Sequence, residues 1–89
     1  MTDLELFNNY LDTIDDFKLI FEDFKKTFVG VTPQEILESD QFTGFDKTRA
    51  KLVVVLEKLI FALESNDLDN FVILEKQQLE LMELLETLQ

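Results

Sequence analysis

The chain has 89 residues and a mass of 10.5 kDa, enough for one domain over residues 1–89 with one modest core. It holds no His, Cys or Trp, two Gly and one Pro, which excludes thiol and imidazole catalysis, zinc fingers, disulfide frameworks and thiolate-held clusters. Nineteen acidic against eight basic residues leave a net charge of −11, which phosphate backbones and anionic membranes repel, while the 46% hydrophobic content opposes disorder.

The first predicted element runs from about Asp3 to Val29. Phe7, Tyr10, Ile14, Phe17, Phe21, Phe24 and Phe28 alternate at spacings of three and four, which is one face of a helix. Leu4, Leu11 and Ile20 widen that stripe. Thr2 and Glu5 form a capping box at its start, and Gly30 offers a left-handed stop, with Val31 placed for the accompanying apolar contact. The acidic opening Met1–Glu5 lacks the basic and apolar segments of a signal peptide.

Thr32 and Glu35 make a second capping box, with Pro33 at the first helical position. A short helix over about 33–39 follows, and Gln41 to Phe45 forms a loop with two aromatics. Phe42 and Phe45 either plug the end of the core or present a surface to a partner.

From Asp46 to about Ser65 the chain is apolar nearly all round. Leu52, Leu56, Leu59 and Leu63 mark one seam, and Val53, Val55, Ile60 and Phe61 cover much of the rest. The Val53–Val55 run suits a strand, but the length of the segment and the three-four spacing that continues to Leu63 favour a helix. Such a helix is expected to be central and buried by neighbours on several sides. Ser65-Asn66-Asp67 breaks the pattern and supplies an N-cap for a last helix over about 68–88.

In that last helix Phe71, Leu74, Leu81, Leu85 and Leu88 repeat the seam, with Gln78 where an apolar residue is expected. The short connection makes the third and fourth segments an antiparallel hairpin. Leu79, Met82 and Leu84 lie off the stripe. The fold class is therefore all-α: an antiparallel bundle of three long helices (3–29, 46–65, 68–88) and one short helix. It carries more apolar surface than an isolated three-helix bundle covers, which points to a partner or a homodimer. No stretch reaches about 18 uninterrupted apolar residues, so no membrane span is expected and the cytoplasm is the expected location.

Chemistry has few candidates. Glu80, Glu83 and Glu86 lie along one edge of the last helix, and Asp12, Asp15 and Asp16 cluster on the first. Without His, and outside the apolar seam, these read as solvated faces, so no metal or cofactor is expected. Asp67 and Asp69 lack the glycine and closing glutamate of a calcium loop. Ser39 and Ser65 are helix-end residues, and the two glycines are fourteen positions apart, so neither a nucleophile elbow nor a phosphate loop is present. An enzyme is not expected.

Lys47, Arg49 and Lys51 crowd the start of the third segment, where the helix dipole disfavours cations. They are expected to pair with carboxylates of the first or last helix, the other reading being a basic patch for an acidic partner.

Leu52 to Leu88 is similar to the helical hairpin of flagellar export chaperones. The resemblance rests on Ala62, Leu63, Glu64 and Asp67, followed by Phe71, Leu74, Gln77, Leu81 and Leu85. It implies a cytoplasmic binder that holds an amphipathic helix of its client in an apolar groove.

The sequence thus supports a non-enzymatic helical adaptor whose groove uses Leu79, Met82, Leu84 and Leu85, by the helix-in-groove mode. Two alternatives stand beside it. One is an acidic inhibitor that mimics nucleic acid toward a basic protein. The other is a self-associating bundle, a homodimer. Direct nucleic-acid binding is not expected.

Overall fold

The computed structural model describes residues 1–88 and consists of five helices with no strand among them: α1 (Asp3–Leu11), α2 (Ile14–Thr27), α3 (Pro33–Glu38), α4 (Gly44–Glu64) and α5 (Leu68–Leu88). The expected all-α bundle is present. The α4–α5 hairpin has the most extensive packing, α1 lies against both of its helices, and α2 and α3 pack on α4.

The helix expected over 3–29 is divided. The Asp12 and Thr13 amides bond to Asn9 and Tyr10 carbonyls three residues back, and the Thr13 hydroxyl donates to the Tyr10 carbonyl at 2.7 Å. A threonine hydroxyl on a carbonyl of the preceding turn bends a helix. The apolar periodicity runs through the bend, which is why sequence spacing alone does not reveal it. Its effect is to let Phe7 and Tyr10 pack on α5 while α2 turns toward α4.

Local chemistry sets the remaining boundaries. Thr2, Thr32 and Thr43 each accept the amide proton of the residue three positions on, at 3.2 Å. The Thr43 cap starts α4 at Gly44 rather than at Asp46, because it captures the Asp46 amide and draws Gly44 and Phe45 into the first turn. Gly30 adopts φ +75°, the expected left-handed position after α2. Between α4 and α5, Asn66 takes φ +58°, the Asp67 amide bonds to the Ala62 carbonyl and the Asn66 amide to that of Leu63. That is a Schellman stop with Asn in the glycine position. Asp67 then caps α5 through the Asn70 amide.

The core has two parts. The larger gathers Phe7, Phe17, Leu56, Leu59, Leu63 and Phe71, with Phe71 fully buried beneath the edges of Phe7 and Tyr10. The smaller packs Phe24, Ile36, Ala50 and Val53 at the α3 end. Phe42 joins the smaller part through an edge contact with Phe28, so it plugs the end of the core.

The central helix is α4, enclosed on all sides but one. As expected, it has neighbours on several sides, but one stripe of it stays open, where Phe61 is 73% exposed. Lys51 and Lys58 share its open side and Val54 is only half-buried there. Elements cover α4 on the sides facing α1, α2, α3 and α5, and among the described residues none covers this one.

Candidate functional site

Among the described residues, two open apolar faces hold depressions that a partner could fill. The first is a cleft of about 330 Å³ between α2 and α5, floored by α4. It exists because α2 leans on α4 and stands away from α5. Leu19, Ile20 and Asp23 form the α2 wall, Leu85 the α5 wall, and Leu52 and Val53 the floor, with Arg49 at one edge. Leu19 is 62% exposed.

The second is the outer face of the α4–α5 hairpin, away from α1. It holds two depressions at different levels. One, of about 380 Å³, is lined by Leu37, Lys51, Val54, Val55, Gln77, Glu80, Leu81 and Leu84. The other, of about 440 Å³, lies nearer the turn and includes Glu57, Lys58, Phe61, Asn70, Ile73 and Leu74.

The residues expected to form one groove do not meet. Leu84 belongs to the hairpin face and Leu85 to the α2–α5 cleft. Leu79 and Leu84 are five positions apart on α5, so they point about 140° from each other. Met82 places its sulfur against the Gln78 amide nitrogen. Phe42 is packed as described, and the half-buried Phe45 lies under the Arg49 guanidinium, 5.8 Å from ring centre to Cζ.

The basic cluster divides as well. Arg49 faces Asp23 of α2 at 3.6 Å and stacks over Phe28 as well as Phe45, which fixes how α2 meets α4. Lys51 lines the hairpin face, and Lys47 lies one turn before it on the same helix edge. Among the described residues no three carboxylates converge on a point that would hold a metal ion. Likewise no described helix is long and apolar enough to cross a membrane.

One polar pair borders the larger core, with Tyr10 half-buried against it. Gln78, buried in the α5 seam, accepts a hydrogen bond from the Tyr10 hydroxyl at 3.0 Å. Burial first, and then the charge and acceptor capacity of the Glu75 carboxylate, raise the pKa of Tyr10 above its ordinary value. The pair ties α1 to α5 and faces neither open surface.

Sequence reasoning missed Phe61 and Ile73 on the hairpin face and Leu19 in the cleft. For Phe61 a signal exists. Lys47, Lys51, Val54, Lys58 and Phe61 repeat at four-three-four-three spacing, and a stripe holding three lysines is not a buried one. Leu19 has no such signal, since the cleft forms only because α2 bends away from α5.

Compared with known proteins, the chain matches no family, no curated protein and no solved structure.

Proposed function

We propose that this protein is a non-enzymatic helical adaptor, chaperone-like in action, that holds an amphipathic helix of a protein partner in the α2–α5 cleft. The observation carrying this reading is the position of Leu19 and Ile20. They stand exposed on one wall, opposite Leu85, over a floor made by the central helix. A helix laid there touches α2, α4 and α5 at once and completes the bundle, with apolar residues at i, i+3, i+4 and i+7 facing inward. Asp16 and Asp23 flank Leu19 and Ile20 on α2, so the occupant carries basic residues beside its apolar stripe. The likeness of the hairpin to flagellar export chaperones supports the same reading, and a cytoplasmic setting goes with it.

Pull-down from native lysate with the wild-type chain and with Leu19→Glu tests this. Leu19 is mostly exposed, so its replacement leaves helicity intact. A partner retained at high salt and lost with Leu19→Glu is the expected result. A partner bound equally by both forms, and released by salt, points instead to charge-driven mimicry of nucleic acid and removes the cleft.

A further inference from the structure

We propose that the outer face of the α4–α5 hairpin binds a second copy of this chain, with α4 of each copy lying over α5 of the other. This is a different surface from the α2–α5 cleft, and it stands or falls independently of the adaptor reading.

The first ground is exposed apolar area. Phe61 is 73% exposed, Ile73 57% and Leu84 46%, all on one face. The whole chain exposes 6038 Å², against roughly 5,400 Å² for a compact monomer of its mass. Two 21-residue helices side by side, each about 31 Å long and about 10 Å across, offer roughly 600 Å² per copy. Two copies then bury roughly 1,200 Å², the lower limit for a stable interface.

The second ground is charge, which selects both the occupant and the arrangement. The protein is strongly acidic, yet Lys47, Lys51 and Lys58 follow one edge of α4 on this face. Any close-fitting partner must set carboxylates against them. The chain itself does so, because α5 places Glu80 at the level of Lys51. Phe61 and Ile73 share a second level nearer the turn, in a depression also lined by Lys58, Glu57 and Asp67.

A two-fold axis can lie within this face in two ways. Running along the helices, it preserves the levels and lays α4 over the partner's α5. Lys51 then meets the Glu80 level, and Phe61 meets the Ile73 level. Running across the helices, it lays α4 over α4 in reverse, and Lys51 then opposes Lys58. Like charges facing each other across an interface are penalised, so the first arrangement is selected. It is isologous and closes as a dimer.

Light scattering on a sizing column, over a range of concentrations, tests the proposal with the full chain. The wild type is expected to move from 10.5 kDa toward twice that mass as concentration rises. Phe61→Glu, at an exposed position, should keep the circular dichroism of the wild type and stay monomeric. Lys51→Glu should raise the dimer Kd by about tenfold or more, and adding Glu80→Lys should restore it. Leu19→Glu should leave the dimer intact, which separates this surface from the cleft. A wild type that is monomeric at every concentration overturns the proposal and returns the face to a helix of another protein. A dimer indifferent to Phe61→Glu overturns the surface. Tightening by Lys51→Glu overturns the arrangement, because it is what α4-on-α4 packing would produce.

Discussion

The Tyr10 hydroxyl donates to the Gln78 side-chain carbonyl at 3.0 Å, linking α1 to α5 at a position where the seam would otherwise take leucine. Satisfying a buried amide in this way contributes little net stability, but leaving it unsatisfied is costly. It also discriminates among registers, because sliding α1 along α5 by a turn strands the amide in an apolar stripe.

Tyr10→Phe should therefore destabilise the protein by about 1–3 kcal/mol, since it leaves the Gln78 oxygen buried without a donor. Adding Gln78→Leu should recover most of that loss, because both partners are then apolar. Urea unfolding of the four forms gives the coupling directly, and additive effects would mean that the bond does not operate in solution.

Alkaline titration follows from the burial of Tyr10 and its nearness to Glu75. Tyr10 is the only tyrosine, so its phenolate absorbance reports one site without ambiguity. Its pKa in the folded protein lies above the ordinary value of 10.0, through burial and then Glu75. Between the unfolded and folded values the unfolded chain binds fewer protons, so stability falls as pH rises through that window. Below 10.0 the contribution is fully present. Urea unfolding against pH should show this loss in the wild type and not in Tyr10→Phe.

Two phenylalanines ten residues apart should behave oppositely. Phe71 is fully buried beneath Phe7 and Tyr10, and Phe71→Ala should cost about 3–5 kcal/mol, enough to unfold much of the population. Phe61→Ala, mostly exposed in the single chain, should change stability by less than about 1 kcal/mol at concentrations too low for self-association. Thermal melts of the two variants check the contrast.

At the hairpin turn, Asn66→Ala should cost about 1 kcal/mol or less, because both residues carry the Cβ that crowds the following carbonyl at φ +58° and alanine lacks only the short polar side chain that compensates locally. Asn66→Gly should be neutral or stabilising, since glycine takes that conformation freely. A similar cost for both variants in urea unfolding would assign the role of Asn66 to its side chain rather than to its backbone.

The Arg49–Asp23 contact is long, and Asp23 is largely exposed. Asp23→Ala should therefore shift stability by less than about 1 kcal/mol. Arg49→Ala should cost more, because it also removes stacking over Phe28 and Phe45. Unfolding of both variants at low and high salt separates charge from stacking, since only the charge contribution is screened.

Much of the bundle was legible in the sequence because local rules set it. The three-four spacing identifies the helices, Thr2 and Thr32 mark starts, and Gly30 and Asn66 mark stops. The bend at Thr13 was not legible, because its apolar periodicity continues unbroken. Nor was the groove legible, because Leu79, Met82, Leu84 and Leu85 lie close in sequence yet diverge around α5.

The sequence by itself determined the helical class, the hairpin, the acidic charge and the apolar surplus, all of which follow from composition and short-range periodicity. Only the tertiary structure decided where the surplus lies. Burial depends on which helix covers which side, and that turns on a bend in the first helix and on the single layer of helices packed against α4. Phe61 and Phe71 are the same residue type in the same hairpin; one is left open and the other sealed because α1 packs on one face alone.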